Sequence, residues 1–423
     1  MSLQGPVVVI AEEDASELTD ALTAAGATPF ACIWAQAAAA IRASRPVGVI
    51  VNTDSVPPDD ILDAVLDELD DQIEPFLPVL ARASAAGAPV IEDALPISPR
   101  TTVQGIVARL ASALRVRTLE IIVAERAAAF QAGGGEVPPL PDSDPLEDAA
   151  VLVTGRGRSY PELCTAVGER VGLIGALSVE TAARYLTKRP LDGVIIGEGF
   201  GPAIVNALLT ALGEDRRFRG LPIALIGGMP VGVDCSTMPN FERFDAPPAA
   251  IVDWMLPLIR LHAYEARVQR QLAAIEAGGM LDPVTGLYTA DAFARAYADA
   301  VGDARGGRRP LSLARLTLLP GVDRRILLDA ARQTAGLMRS VDFAMLAEDG
   351  AILLALTQTD LRHAHVIARR VASTLKATVL TSDRAEDRVD PTVSLATLTA
   401  ADSAETLMAR VSGREAMAMV AAE

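Results

Sequence analysis

Leu281-Asp-Pro-Val-Thr-Gly-Leu-Tyr288 separates a long helix-like stretch from the last third of the chain. The residues before it, from Arg260 to Ala277, run without glycine or proline and end at Gly278-Gly279. Glycine directly after such a run is typical of a helix end. A long helix with sparse apolar positions often joins two domains or pairs with its copy in a dimer. We therefore expect a new domain to open at Leu281, although the helix also fits a solvated surface element.

The residues upstream of this helix alternate between short apolar runs and helix-like stretches. Ala150-Val-Leu-Val153, Gly193-Val-Ile-Ile196 and Leu221-Pro-Ile-Ala-Leu-Ile226 are the clearest strand candidates of the middle segment. Strands that alternate with helices predict a doubly wound parallel sheet with helices on both faces. The sequence therefore predicts an α/β domain here.

The first segment repeats this pattern less fully. Pro6-Val-Val-Val-Ile10 and Pro46-Val-Gly-Val-Ile-Val51 are predicted strands. The fourth strand is ambiguous, because either Leu77-Pro-Val-Leu80 or Pro89-Val-Ile91 fits the pattern. Glycine and proline among acidic residues then mark 129–148 as a linker.

Composition narrows the class of function. Half of the residues are hydrophobic and 4% are aromatic, so the cores must be built mainly from aliphatic side chains. The formal net charge of −16 argues against nucleic-acid binding, which needs clustered lysine and arginine. No apolar run approaches the roughly 18 residues of a membrane span. We expect a protein of the cytoplasm with no membrane span.

Cysteine and histidine do not suggest a metal centre. Cys32, Cys164 and Cys235 are far apart, and His363 and His365 have no further ligands at a metal-binding spacing. We therefore predict neither a metal nor a cofactor.

The stretch from Leu281 to Tyr288 resembles the D-x-L-T-G-L-x-N opening of GGDEF domains, the cyclase domains that make cyclic di-GMP. Pro391-Thr-Val-Ser-Leu-Ala396 is similar to the late strand of that family, and Arg410 to Arg414 to its closing turn. The two upstream segments resemble receiver domains, which have the flavodoxin-like fold. The order receiver, receiver, GGDEF is that of PleD-like response regulators. The resemblance divides the chain into a receiver-like domain at 1–128, a linker at 129–148, a second receiver-like domain at 149–262, a helical linker at 263–280 and a GGDEF-like domain with a mixed central sheet at 281–423.

The catalytic residues of a GGDEF cyclase are missing at the matching positions. The metal-binding D-x-D of the family falls on Thr317-Leu318-Leu319. The glycines of the signature fall on Glu348 and Asp349, and its acidic pair falls on Gly350-Ala351. Phosphoryl transfer needs metal-bound carboxylates to neutralise the phosphates. The resemblance therefore implies a protein without cyclase activity.

The second receiver-like domain has lost the residues that accept phosphate in its family. The metal-binding acids fall on Gly155-Arg156, the acceptor aspartate on Gly197 and the lysine near Asp245. We expect no phosphorylation of this domain.

The first receiver-like domain is less clear. Residues 12–14, which read Glu-Glu-Asp, are candidate metal ligands. The acceptor position falls on Asn52 by strand length or on Asp54 by the distance to Pro58, and the lysine position falls on Leu95. Asp54 is therefore a candidate phosphorylation site, and the alternative is a docking or dimer surface without phosphate.

The residues that bind cyclic di-GMP at the inhibitory site of GGDEF domains are present. Arg339 and Asp342 match its R-x-x-D motif, and Arg370 matches its second arginine. Guanidinium groups can bind guanine or phosphate in bidentate fashion, and a carboxylate can accept from the guanine N1 and N2 hydrogens. An isolated R-x-x-D is also a common i,i+3 ion pair on helices. The resemblance implies a binding site at these three residues.

We therefore predict a non-enzymatic cyclic di-GMP effector. The resemblance implies an adaptor of bacterial signalling that binds protein partners, acts in cell-cycle control of proteolysis and is recruited to the cell pole. Receiver domains commonly pair, so we expect a homodimer. The alternative is a ligand-free scaffold that uses its receiver and GGDEF surfaces for protein–protein interaction.

Overall fold

The described residues form three β-sheets, and the chain divides into two compact units. A computed structural model describes residues 3–53, 55–72, 75–82, 90–228, 232–233, 235, 238–307, 309–318, 322–378 and 390–413. The first unit contains Met1–Glu125 and Asp144–Val268, and the second contains Arg126–Ser143 and Gln269–Glu423. No helix within these described ranges is both long enough and apolar enough to cross a membrane.

The first sheet is parallel, with the strand order β2-β1-β3-β4-β5. Its strands are β1 Pro6–Ile10, β2 Thr28–Cys32, β3 Gly48–Val51, β4 Val79–Arg82 and β5 Leu95–Ile97. The helices are α1 Ser16–Ala24, α2 Trp34–Ser44, α3 Asp59–Asp70 and α4 Val103–Ala132. This is the flavodoxin-like strand order.

The fourth strand of this sheet comes from the first of the two candidate runs. The Val49 amide donates to the Pro78 carbonyl at 2.9 Å, and β4 then pairs with β3 from Val79 onwards. Pro78 has no amide to donate, so the strand begins at Val79, two residues after the start of the apolar run. In the competing run, Pro89 lies outside the described residues and Val90 and Ile91 form a bend.

The second sheet has the same topology, in the order β10-β9-β8-β6-β7. Its strands are β6 Ala150–Thr154, β7 Gly172–Ala176, β8 Gly193–Ile196, β9 Ile223–Ile226 and β10 Phe241–Phe244. The helices are α5 Tyr160–Gly168, α6 Val179–Lys188, α7 Pro202–Glu214 and α8 Pro248–Glu276. All strand pairs in this sheet are parallel.

The third sheet, in the second unit, has the order β12-β13-β11-β14. Its elements are α9 Ala290–Gly307, β11 Leu311–Thr317, α10 Arg324–Leu337, β12 Phe343–Leu346, β13 Ile352–Thr357, α11 Leu361–Thr378, β14 Thr392–Thr397 and α12 Ala404–Ser412. We predicted a mixed central sheet, but these four strands pair in antiparallel fashion. Among the described residues, parallel pairing in this unit is limited to a single bridge between Tyr288 and Met345, because the stretch at 281–288 forms a turn rather than a strand.

The two parallel sheets of the first unit share one buried core. Apolar residues of α4, such as Ile106 and Leu110, belong to the same buried cluster as Met255 and Ile259 of α8. Both helices present one apolar stripe to this core, as expected for helices that cover a sheet. The two flavodoxin-like halves are therefore packed against each other within a single chain.

A buried ion pair joins the two halves. Arg109 of α4 is 1% exposed, and its guanidinium lies 3.2 Å from a carboxylate oxygen of Glu242 in β10. The same guanidinium donates to the carbonyl of Pro96 in β5 and, at 3.1 Å, to the carbonyl of Pro239. Burial lowers the pKa of Arg109, while the Glu242 carboxylate opposes this shift. One side chain thus ties the fifth strand of each sheet to α4.

We expect Arg109→Ala to lower the free energy of unfolding of the first unit by about 3–5 kcal/mol, because it leaves a buried carboxylate without its partner. Urea unfolding monitored by tryptophan fluorescence measures this unit selectively, since Trp34 and Trp254 are the two tryptophans of the chain. The double variant Arg109→Met/Glu242→Met removes both charges and should unfold close to wild type. An Arg109→Ala protein as stable as wild type would contradict a stabilising role for this pair.

Candidate functional site

The stretch from Leu281 to Tyr288 folds as a turn held by Asp282. Its carboxylate accepts hydrogen bonds from the Val284 amide at 3.1 Å and from the Thr285 hydroxyl at 2.6 Å. Gly286 has a φ of +74°, in the left-handed region that favours glycine. The turn accepts from Arg332 of α10, whose Nε lies 2.9 Å from the Val284 carbonyl. The polar residues of this stretch therefore have a structural role, since the turn that they form anchors the start of the domain to α10.

The β12–β13 hairpin carries the positions of the cyclase signature. The Ala347 amide donates to the Ala351 carbonyl at 2.8 Å, and the Gly350 amide donates to the Ala347 carbonyl at 2.9 Å. Gly350 has a φ of +78°, so this glycine serves the turn itself. Glu348 and Asp349 are exposed at the tip.

Asp349 forms an ion pair with a neighbouring strand. Its carboxylate accepts from the guanidinium of Arg315 in β11, and this hydrogen bond lowers the pKa of Asp349. Beyond Arg315, the positions that match the metal-binding acids of cyclases hold Thr317 and the buried Leu318, while Leu319 lies outside the described residues. No group of three histidine, cysteine, aspartate or glutamate side chains suited to a metal occurs in the described ranges.

Arg339 and Asp342 lie on one turn, directly before β12. The Asp342 amide donates to the Arg339 carbonyl at 3.0 Å. The Asp342 side chain is buried, and its Oδ1 accepts from the Thr357 amide at 2.9 Å at the far end of β13. Burial raises the pKa of Asp342, although the Thr357 hydrogen bonds and the Arg339 charge act in the opposite direction. Arg339 is exposed and forms no ion pair with any described residue.

Arg370 lies on the exposed face of α11. Helices α10 and α11 are in contact, so the turn that follows α10 and the middle of α11 belong to the same layer of the domain. Within the described part of the chain, Arg370 makes no hydrogen bond or ion pair to Arg339 or Asp342. The structure thus brings Arg339 and Asp342 together on one turn, and it places Arg370 on a separate element, where its guanidinium contacts no acid among the described residues.

The edge of the second parallel sheet at which we expected a lost phosphorylation site is closed by backbone. The amides of Arg156 and Gly157 both donate to the Glu198 carbonyl, at 2.8 and 2.9 Å. A Cβ at Gly155 would lie 3.2 Å from the Cα of Gly197. The loops after β6 and β8 are therefore in direct contact where a receiver would hold its metal and its acceptor. Asp245 directly follows β10, at the position of the family lysine.

The corresponding edge of the first sheet is occupied by capping and cross-strand contacts. Glu12 accepts from the Trp34 amide at the start of α2, and Asp14 accepts from the Ser16 amide at the start of α1. Asn52 accepts from Arg82 Nε at 2.8 Å. Asp54, our candidate phosphorylation site, lies outside the described residues. Leu95, which we assigned to the lysine position after the fifth strand, instead begins β5, because the strand includes Pro96 and Ile97.

Sequence reasoning missed the two residues that hold the candidate site together. Thr357 fixes Asp342, and Arg315 fixes Asp349, from strands that are distant in sequence. Thr357 ends β13 opposite the start of β12, so counting residues along a predicted hairpin would have pointed to it. Arg315 is paired with Leu353 across β11 and β13, and no sequence signal predicted that register.

Comparisons with known proteins return GGDEF domains that align with about a third of the chain. No protein-family model and no curated protein matches it. The coiled-coil and GGDEF domain of DgcB from Caulobacter crescentus, in complex with c-di-GMP, is 14% identical and aligns with 35% of this chain and 84% of that one, with a TM-score of 0.30. The FimX GGDEF domain from Pseudomonas aeruginosa is 20% identical over 32% of this chain and 90% of that one, with a TM-score of 0.28.

A third solved structure of this kind is the diguanylate cyclase SiaD from Pseudomonas aeruginosa, in complex with its activator SiaC. It is 18% identical to this chain and aligns with 36% of this chain and 63% of that one, with a TM-score of 0.29. Because all three TM-scores lie below 0.5, the proposals that follow rest on this chain's own residues.

We expect Asp342→Ala to speed hydrogen exchange of the Thr357 amide by about 5- to 150-fold, because loss of a buried acceptor costs roughly 1–3 kcal/mol. The measurement is exchange by mass spectrometry on peptides that cover β12 and β13. Asp342→Asn keeps an oxygen for the Thr357 amide and is the matched control.

Because the pKa of Asp342 is raised, the difference in hydrogen-exchange protection between Asp342→Asn and wild type should depend on pH in a known direction. A buried carboxyl group whose pKa is raised in the folded state contributes most to folding stability below its unfolded pKa of about 3.9. This contribution to stability is lost as the pH rises through the folded pKa. Asp342→Asn should therefore protect the hairpin better than wild type at pH 7, and the difference should shrink towards pH 4. Equal protection in all three proteins would mean that Asp342 does not hold the hairpin.

Proposed function

We propose that this protein is a non-enzymatic effector that binds cyclic di-GMP through Arg339, Asp342 and Arg370. The observation that carries the proposal is the turn before β12, where an exposed guanidinium with no described acid partner stands beside a buried carboxylate. Arg339 interacts with the Asp342 charge but forms no ion pair or side-chain hydrogen bond among the described residues, so its donors are available for an anionic ligand.

The chemistry of the three groups fits a cyclic dinucleotide with two guanine bases. Arg339 and Arg370 each offer a planar fork of donors for guanine O6 and N7 or for phosphate oxygens. Asp342 uses Oδ1 for Thr357, and its second oxygen would accept from the guanine N1 and N2 hydrogens. Burial disfavours the charged form of this carboxylate in the free protein. A hydrogen bond from a guanine base would therefore stabilise that charge.

Loss of catalysis is supported by what occupies the signature hairpin. Asp349 pairs with Arg315, and the glycine of the tip is used to close the turn. A lone carboxylate already held by a guanidinium is a poor magnesium ligand, since magnesium prefers an octahedral set of oxygens. This hairpin would therefore serve as an interaction surface and would not catalyse a reaction.

The two parallel sheets, which precede this site in the sequence, support a regulatory role for the first unit. Their shared strand order and the closed acceptor edge at Gly155 and Gly197 fit receiver-like domains that signal without phosphate. We assign the protein, on this basis, to PleD-like response regulators, as a cytoplasmic adaptor and homodimer in bacterial cell-cycle signalling. Recruitment to the cell pole and a proteolytic partner belong to the same proposal, by analogy of architecture.

A ligand-free scaffold is the second candidate, and one observation favours it. The Asp342 side chain is 8% exposed and its Oδ1 is already engaged by Thr357. If this turn is purely structural, the R-x-x-D is a hairpin support and the domain acts through its surfaces alone.

Titration with cyclic di-GMP in a calorimeter distinguishes the two candidates. We expect saturable heat for the wild type, and an affinity lower by about 5- to 150-fold in Arg339→Ala and in Arg370→Ala, because a bidentate arginine–guanine contact is worth roughly 1–3 kcal/mol. Arg309→Ala removes an exposed arginine from the loop before β11 and should bind as wild type does. A flat trace for wild type would support the scaffold and reject the effector.

The enzyme hypothesis has its own test. We expect no cyclic di-GMP and no pyrophosphate from GTP with magnesium or manganese, because the metal carboxylates of the family are replaced at Thr317 and Leu318. Product analysis by chromatography, beside an active cyclase, checks this. Metal-dependent turnover that disappears in Asp349→Ala would overturn the non-enzymatic assignment.

A further inference from the structure

Helix α11 concentrates positive charge in an acidic protein. Residues 361–378 contain three arginines, one lysine and two histidines and no aspartate or glutamate, whereas the whole chain has a net charge of −16. The apolar stripe of this helix packs into the domain, with Ala364, Ala368, Val371 and Leu375 fully buried. The cations therefore stand on its outer side.

The outer side forms a continuous basic stripe around one apolar residue. Arg362, Val366 and Arg369 follow one another at helical spacing on this side, and Val366 is 64% exposed. Arg362 and Arg369 are about 10.5 Å apart along the axis, at 1.5 Å per residue. We refer to Arg362, Val366 and Arg369 as the basic stripe.

The two arginines of the basic stripe have no acid to neutralise them in the described part of the chain. Neither side chain forms an ion pair there, in contrast to His363, which pairs with Asp360, and Lys376, which pairs with Asp390. Two guanidinium groups and an exposed valine on one helix face form a surface that fits an acidic, helical partner.

Helix α3 of the first unit offers the complementary surface. Its outer side carries five exposed aspartates without an ion pair among the described residues: Asp59, Asp60, Asp63, Asp67 and Asp70. Asp63 and Asp70 have the same seven-residue spacing as Arg362 and Arg369. We refer to these five aspartates as the acidic face.

We propose that the basic stripe of one copy binds the acidic face of a second copy of this chain, and that the reciprocal contact closes a two-fold dimer. Each copy then contributes one helix of each sign, and two identical contacts form at once, as isologous symmetry requires. Charge complementarity over two helical turns sets the pairing and its register.

Two other kinds of partner fit the basic stripe less well. A membrane-binding helix must insert an apolar face, and the apolar face of α11 is buried in its own domain. A nucleic acid would meet a short stripe on a strongly acidic protein, which works against phosphate binding. An acidic face of the same spacing on the same chain is the partner that the described residues supply.

Sedimentation of the full-length protein without dinucleotide tests the dimer. We expect a monomer–dimer equilibrium at 50 mM salt that shifts to monomer at 500 mM, because exposed ion pairs are screened. Arg362→Glu/Arg369→Glu should weaken the dimer at least about tenfold. Arg126→Glu/Arg184→Glu makes the same charge change at exposed arginines elsewhere and should leave it unchanged.

Charge exchange identifies the partner surface. Asp63→Lys/Asp67→Lys should also give monomers, and mixing it with Arg362→Glu/Arg369→Glu should restore a heterodimer, because the reversed faces then match. Far-ultraviolet circular dichroism confirms that each variant is folded. A wild type that stays monomeric at low salt, a dimer that survives both reversals, or a mixture that fails to associate would each overturn the proposal. Dinucleotide is absent throughout, so the outcome does not depend on ligand binding.

Discussion

The buried carboxylate of Asp342 is the group on which the last domain depends. It joins the start of β12 to the end of β13, across the hairpin whose tip carries Glu348 and Asp349. A charged group in such a place is tolerated because backbone and hydroxyl donors satisfy it, and its raised pKa records the remaining cost of burial. The same cost makes an additional hydrogen-bond donor, such as a guanine edge, favourable at this turn. Structural support and ligand binding are therefore compatible uses of one carboxylate, provided that its two oxygens take different partners.

The parallel sheets show how far periodicity alone predicts a fold. Runs such as Ala150–Val153 and Gly193–Ile196 are buried on both faces, so they read as continuous apolar segments, and both are strands. The fourth strand was ambiguous because Pro78 interrupts its run, and the decision depends on the Val49–Pro78 hydrogen bond, which is a tertiary contact. The antiparallel character of the third sheet was missed because the resemblance to a family supplied an outline without the pairing of its strands.

The sequence suggested the residues of the candidate site, which remain a prediction, but not the contacts that these residues make. Arg339, Asp342 and Arg370 were identified from the order of motifs, whereas the engagement of Asp342 by Thr357 and of Asp349 by Arg315 depends on strand register. The contact between the loops after β6 and β8 in the second sheet likewise depends on tertiary structure that the sequence does not reveal. Glycine at 155 and 197 reads as loss of acidic residues in the sequence, but in three dimensions it permits two backbone segments to touch. The two glycines therefore also serve the packing of these loops.

Helix α11 links the two proposals, because it carries arginines of both proposed binding surfaces. Arg370 belongs to the proposed ligand site, and Arg362 and Arg369 belong to the basic stripe, within three turns of the same helix. A dinucleotide at Arg370 would bring phosphate charge close to the stripe and reduce its attraction for the acidic face of another copy, by an amount that falls with distance and salt. Thermodynamic reciprocity then requires that a dimer weaken dinucleotide binding by the same factor. Three arginines of α11 without an ion pair among the described residues thus give a physical route by which ligand and self-association can oppose each other without any change of fold.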